Sequence, residues 1–328
     1  MTVPFQNMVD LLKALAEPTR LRLVRLLSRV DLTVSDLVDI LGQSQPRISR
    51  HLKLLVEAAI LERYQEGAWA YFRLSGEAVV AEAVSALLER VDERDPVLAR
   101  DGERLEAVRR RRADRASAYF AENAERWDRI RSLHVPDADV EAALLEALGK
   151  ERVGVFLDVG TGTGRMLELL APKVRKAVGI DASREMLSVA RSKLDELAAM
   201  GHASVRQGDA YHLPTEPGGY DLVTLHQVLH YLDDPAAAVV EAAAALAPAG
   251  RLAIVDFAPH HLEFLRTEHA HLRLGFSQEA IDGFLATAGL ERETALSLAG
   301  SASDADQLTV TITIARDPRD RIALARSA

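Results

Sequence analysis

The sequence predicts two domains, a mainly α domain that ends in a β-hairpin and an α/β domain built on a parallel sheet. Three observations predict this. At 328 residues the chain exceeds the roughly 100 to 200 residues of a single domain. Apolar residues recur at helical spacing through the first third, then from about residue 135 helical stretches alternate with short apolar runs, the pattern of a parallel sheet with helices on both faces. A glycine-rich turn, residues 160–164, follows the first of those runs without a break.

Composition narrows the class. A hydrophobic share of 48% with 27% charged residues describes ordinary globular material. The sequence has no stretch of about 18 uncharged apolar residues and no charged-then-apolar start, so a cytoplasmic protein without a membrane role is expected. Cysteine is absent, which removes disulfides, thiolate metal sites and cysteine nucleophiles together. The net charge of -9 argues against nonspecific coating of nucleic acid, which needs many phosphate-neutralising side chains. It leaves room for a local basic surface.

Within the first domain, Met8, Leu11, Leu12 and Leu15 mark one helix, and Leu21, Leu23, Val24, Leu26 and Leu27 mark a second. Pro18 can begin that second helix, where its missing N–H costs nothing. Residues 35–41 form a short third helix that Gly42 is placed to end. In residues 44–55, Ile48, Leu52 and Leu55 face inward, leaving Gln45, Arg47, Ser49, Arg50 and Lys53 outward. Arg47, Arg50 and Lys53 are the formally charged residues there; a solvated helix face is the bland alternative. Two short helices about a glycine turn make a helix-turn-helix, whose second helix would enter the major groove of double-stranded operator DNA. The expected contact set is Gln45, Arg47, Ser49, Arg50, His51 and Lys53. Residues 62–65 and 70–74, joined through Glu66 and Gly67, read as a hairpin wing whose Arg63, Trp69 and Arg73 could touch the backbone or minor groove. The helix expected over 76–93 carries more apolar surface than so small a domain needs, and a homodimer interface is its natural use.

The run 15–23, the helix 45–55 and the Gly67 wing together resemble the ArsR family of winged-helix transcriptional repressors, over about residues 5–95. That resemblance implies dimeric DNA binding. It also implies metal sensing through cysteines in the helix before the recognition helix, but Thr33 and Ser35 stand where those would sit. The 76–93 helix has no histidine for the family's other metal sites, so no metal site is expected and the signal must enter elsewhere. Residues 96–134 form a charged connector containing four arginines, 109–112, for which a solvated helix is the leading reading. Tyr119, Phe120, Trp127 and Ile130 break its polar pattern and are spaced to pack against something.

In the α/β domain, residues 155–159 are the first strand and run into Gly160, Thr161, Gly162, Thr163 and Gly164. Glycines at alternate positions let the backbone turn tightly and approach a ligand. The spacing is not that of a dinucleotide site, since the sixth position from Gly160 is Arg165. A second strand, 177–180, ends in Asp181, whose carboxylate can accept ribose hydroxyls. The third strand closes on Gln207 and Gly208, placing Asp209 for an adenine amino group. The fourth, 220–225, delivers His226 to the sheet edge, and residues 249–256 supply the fifth. This series resembles the Rossmann-like sheet of class I S-adenosylmethionine-dependent methyltransferases, over about residues 135–316. The resemblance implies S-adenosylmethionine or S-adenosylhomocysteine as ligand: Asp158, Gly160, Thr161 and Gly162 at the methionine moiety, Asp181, Ala182 and Met186 at ribose and adenine, Asp209 and Ala210 at the adenine edge, and His226 beside the sulfonium. It also implies that the connector aromatics lie over the pocket, and that residues 272–277 and 281–290 close an acceptor site.

Methyl transfer to a hard nucleophile needs a base. His226 and His230 are the leading candidates, with Tyr231 and a cluster of His260, His261, His269 and His271 behind them. The cluster's spacings do not put two ligands on one helix face, so a polar surface is favoured over a metal site. The expected organisation is a winged-helix domain over 1–95, a connector over 96–134, the methyltransferase domain over 135–316 and a tail over 317–328. The expected function is a dimeric regulator, a repressor, that senses S-adenosylmethionine or S-adenosylhomocysteine and controls methionine or methyl-cycle genes. The alternative is an active small-molecule methyltransferase with an appended winged helix.

Overall fold

A computed structural model describes residues 4–66, 69–75, 78–92, 94–127, 137–200, 202–214, 218–299 and 308–319. The chain divides into two compact units, Met1–Asp114 and Arg115–Ala328.

The first unit contains α1 (Phe5–Leu15), α2 (Pro18–Leu27), β1 (Leu32–Thr33), α3 (Val34–Leu41), α4 (Gln45–Glu57), β2 (Leu61–Glu66), β3 (Trp69–Leu74), α5 (Ala78–Leu88) and most of α6 (Pro96–Asn123). Local chemistry sets the helix ends. Glu17 caps α2 by accepting from the Arg20 N–H at 2.8 Å, with Pro18 in the first turn. Thr33 forms a capping box with Asp36: its hydroxyl accepts from the Asp36 N–H, and the carboxylate accepts from the Thr33 N–H, satisfying two donors that a helix start leaves orphaned. Gly42 closes α3 at φ 64°, a conformation that suits a residue without a Cβ.

Leu23, Leu37, Ile40, Ile48, Leu52, Leu55 and Ile60 are fully enclosed in one core, each contributing about 1.5–3 kcal/mol by burial. The three strands pair in the order β1-β3-β2. β1 is two residues long and carries no period, which is why the sequence did not reveal it. The wing strands extend past the expected limits, and the tip at Gly67 and Ala68 lies outside the described residues, as do 76, 77 and 93. In α5, Val80 and Val84 enter the core while Leu87 stays exposed.

The connector does not stand apart as 96–134. Leu105 and Val108 of α6 join the first core, and Asp101, buried, accepts from both Arg22 Nε and Nη2 at 2.6 Å. Arg112 bonds Asp36 at 2.7 Å and Arg111 bonds Asp39 at 3.0 Å. The arginine run expected as a solvated face is therefore tied in part to α3, because its acids lie one helix away. Ile130 and the rest of 128–136 lie outside the described residues.

The second unit continues with α7 (Asp137–Ala147), β4 (Val153–Val159), α8 (Arg165–Leu170), β5 (Val174–Asp181), α9 (Arg184–Lys193), α10 (Asp195–Ala199), β6 (Ala203–Gln207), β7 (Tyr220–His226), α11 (Pro235–Ala245), β8 (Leu246–Phe257), α12 (Phe264–Glu268), α13 (Gln278–Thr287), β9 (Glu291–Ala299) and β10 (Thr309–Arg316). Its sheet runs β6-β5-β4-β7-β8-β10-β9. The first five of these pair in parallel, as expected, while β10 is antiparallel to both β8 and β9. Val310, Ile312 and Ile314 of β10 alternate inward to the core, whereas β9 is an edge strand with little buried, so its sequence shows no apolar period. The strand order reverses at β4, and open sheets of this kind take ligands at the carboxyl ends of the strands flanking that reversal. Of the expected tail, 317–319 are described: Asp317 N–H donates to Gly250 O at 2.9 Å. No helix among the described residues is long and apolar enough to cross a membrane.

Candidate functional site

The glycine turn is built by strand register. Gly160 N–H and Thr161 N–H both donate to Ile180 O, at 2.8 and 2.9 Å, and Gly164 N–H returns to Thr161 O at 2.8 Å. This holds the turn against the end of β5. Gly160 has φ 72°, and a Cβ there would collide with the Val228 side chain, so both conformation and space demand glycine. The turn carries its amides past the sheet edge, where Gly162 N–H donates to Asp181 Oδ2 at 2.8 Å.

Asp181 is the pivot. Its Oδ1 accepts from Ser183 N–H at 2.8 Å, so each oxygen holds one backbone donor and keeps a further lone pair for a ligand hydroxyl. Burial pushes its pKa above the ordinary carboxylate value, opposed by the backbone hydrogen bonds from Ser183 and Gly162. Asp158 is buried and accepts from the Thr224 hydroxyl. Asp209 sits at the exposed rim, where its carboxylate accepts from Tyr211 N–H at 3.0 Å.

These groups open on one cleft. Asp158, Gly160, Thr161, Gly162, Asp181, Ala182, Met186, Asp209, Ala210 and His226 all line it, and its empty space is about 900 Å³ with the open mouth included. Further lining comes from Phe120, Trp127, Gly208, Gln227, Val228, Tyr231 and Leu232. Gln227 follows β7 at φ 55°, a backbone state rare outside glycine that often marks a functional turn; no sequence signal announces it. No Lys or Arg is among the described lining residues.

The two histidines expected as bases part company. His226, at the end of β7, lines the cleft. His230 does not: it is buried behind Tyr231, with Nδ1 2.7 Å from Asp256 Oδ1 and its ring stacked on His271 at 4.1 Å. The reason is local, since a short 3-10 turn at Leu229–Tyr231 points Tyr231 to the cleft and His230 to the interior. His260 lies in the same interior region, and burial lowers its pKa to about 4. His269 instead meets the Tyr119 hydroxyl at 2.7 Å.

On the helix-turn-helix, Gln45, Arg47, Ser49, Arg50 and Lys53 are exposed on α4. His51 departs from the outward set, turning its Nδ1 to 3.6 Å from Glu17 with its side chain 13% exposed. It sits three and four residues from Ile48 and Leu55, on the core side of the helix. On the wing, Arg63 and Arg73 fall on opposite faces by pleat parity, since Arg73 pairs with Glu62 across the strands. Arg73 bonds Glu62 at 2.9 Å and lies over the Tyr64 ring, while Trp69 is 45% exposed.

Comparison with known proteins matches both halves. Residues 17–63 match the family described as bacterial regulatory protein, arsR family, and residues 157–254 match a methyltransferase domain family. The chain is 50% identical over 68 residues to the arsenical resistance operon repressor of Escherichia coli K12, covering 20% of this chain and 58% of that protein. It is 31% identical over 165 residues to an uncharacterised Bacillus subtilis methyltransferase, YcgJ, covering 47% and 63%. A 37% identical stretch of 115 residues in a Streptomyces fradiae transposon protein covers 34% and 32%. The chain thus spans from about a third to under two thirds of these relatives. Among solved structures, N-methyltransferase NodS from Bradyrhizobium japonicum in complex with S-adenosyl-L-homocysteine aligns with TM-score 0.51 and 21% identity over 62% of this chain and 99% of that one, which is a likeness of fold.

Proposed function

We propose that this chain, which joins an ArsR-family helix-turn-helix segment to a methyltransferase domain, is a dimeric transcriptional regulator, a repressor, that takes S-adenosylmethionine or S-adenosylhomocysteine as its signal. Helix α6 is the observation that carries this reading. The helix supplies Leu105 and Val108 to the core of the first unit, and Phe120 to the wall of the cleft in the second. A ligand that orders Phe120 acts on a helix that also packs into the first unit. A change in DNA affinity then follows if the ligand binds the competent and incompetent states unequally.

Gln45, Arg47, Ser49, Arg50 and Lys53 would meet the operator, with Arg63, Trp69 and Arg73 at its flanks. Exposed Phe5, Leu12 and Leu87 would form part of the dimer interface. In the cleft, Asp181 would hold the ribose and Asp209 the adenine edge, and the genes controlled would belong to methionine or methyl-cycle metabolism. Fluorescence anisotropy on a duplex selected by the chain from a random pool tests this. Either nucleotide should change DNA affinity at least fivefold; unchanged affinity at saturation by both overturns it.

A second reading, methyl transfer to a small molecule, is favoured by His226 standing at the cleft, where it could act as base. Formation of S-adenosylhomocysteine with a panel of small nucleophiles, abolished in His226→Ala, would support it.

A further inference from the structure

The cleft has a charge and a wall whose chemistry goes beyond holding a nucleoside. Asp158, Asp181 and Asp209 line it, with no Lys or Arg among the described lining residues. Part of the wall is aromatic. Phe120 lies 4.8 Å from Tyr231 and 5.3 Å from Trp127 between ring centroids, and Trp127 lies 6.4 Å from Tyr231. The interplanar angles of 72°, 77° and 53° make both Phe120 pairs edge-to-face and leave Trp127 and Tyr231 tilted to each other. Tyr119 backs them, its ring 5.8 Å from Phe120 and its hydroxyl on His269. Trp127 also reaches the glycine turn, its Nε1 lying 3.5 Å from where a Gly162 Cβ would be. The aromatic wall thus borders the part of the cleft nearest the turn.

We propose that this wall, together with the three carboxylates, reads positive charge on the ligand's sulfur, so that the cleft selects a sulfonium nucleoside over the neutral thioether left when its methyl group is lost. The proposal rests on the S-adenosyl reading of the cleft and names which form is the signal. The two forms share adenine, ribose and amino acid, so contacts from Asp181 and Asp209 bind both alike and cannot separate them. They differ at sulfur by one methyl group and one unit of charge. An aromatic face attracts a cation through its quadrupole, and the attraction grows when water is excluded. Burial keeps the Tyr231 phenol neutral by raising its pKa well above the usual value, so that ring acts through its π face. The carboxylates add an attraction of longer range. A neutral thioether gains from neither.

Calorimetric titration of the full chain with S-adenosylmethionine, S-adenosylhomocysteine and sinefungin, whose amine replaces the sulfonium with an ammonium, tests the proposal. Both cationic ligands should bind about tenfold tighter than the thioether. In Phe120→Leu and Tyr231→Leu the ratio of the two affinities should fall below about threefold, whatever the change in thioether affinity itself, and Tyr231→Phe, which keeps the ring, should keep the ratio. Equal binding of the three ligands by the unmodified chain, or a gap that survives both leucine variants, overturns the proposal and leaves the nucleotide reading standing. Absence of binding by all three overturns both.

Discussion

Replacing Asp181 with alanine tests the cleft at its pivot. The carboxylate accepts Gly162 N–H and Ser183 N–H at 2.8 Å each, so its removal orphans two backbone donors, while the Gly160 and Thr161 bonds to Ile180 O still hold the turn to β5. For the ligand, two hydroxyl hydrogen bonds to a charged acceptor are lost, each worth about 1.5–3 kcal/mol. Partial replacement by water reduces the total, leaving a loss of about 3–5 kcal/mol, or about two to three and a half decades in Kd. Calorimetry on the variant measures it, with thermal unfolding checking that the unit remains folded. Asp181→Asn should fall between, because the amide offers one acceptor oxygen but sets an NH2 against the second backbone donor. Nucleotide affinity in D181A within about tenfold of the original would refute the assignment. Acid supplies an independent check. Burial raises this pKa, so affinity should begin to fall with decreasing pH above the ordinary aspartate range, as the acceptor gains its proton. The stability sign is opposite: a raised folded pKa favours the fold below the unfolded value, and that contribution is lost as pH rises through the folded pKa.

Further outcomes follow from other parts of the chain. Arg50→Ala on exposed α4 should weaken binding of the selected duplex by about 1–3 kcal/mol and relax preference at one base position, measured by anisotropy across single-base variants; a uniform loss over all sequences would mark a phosphate contact. Asp101→Ala should lower stability in urea by about 3 kcal/mol, because it leaves Arg22 without its buried partner; a change under 1 kcal/mol would show that water replaces the carboxylate. His260 has a folded pKa of about 4 against an ordinary 6.5, so stability should fall as pH drops from 6.5 towards 4, and His260→Gln should flatten that slope.

The two-unit plan and the first five strands of the sheet were legible because apolar periodicity and glycine punctuation report packing that is local in sequence. The helix-turn-helix was legible for the same reason, since Ile48, Leu52 and Leu55 fix one face of α4. Other features depend on partners far along the chain. Asp36 and Arg112 meet across 76 positions, and nothing near the arginine run announces that acid. The interior placement of His230 is set by a three-residue turn, within which neighbouring side chains diverge, so a histidine close in sequence to the cleft need not face it. His51 likewise falls on the core side of α4 although its type suits DNA. The aromatics at 119, 120 and 127 stood out against a polar helix, but only the fold brings Tyr231 to them.

The central claim is a coupling between the cleft and the DNA-binding helix, and coupling free energy is reciprocal. Titrating S-adenosylmethionine into the full chain with and without saturating selected duplex measures it from the ligand side. The predicted result is a shift in nucleotide Kd of at least fivefold, equal to the factor by which the nucleotide shifts the Kd for DNA. The same nucleotide Kd with and without DNA would contradict the claim.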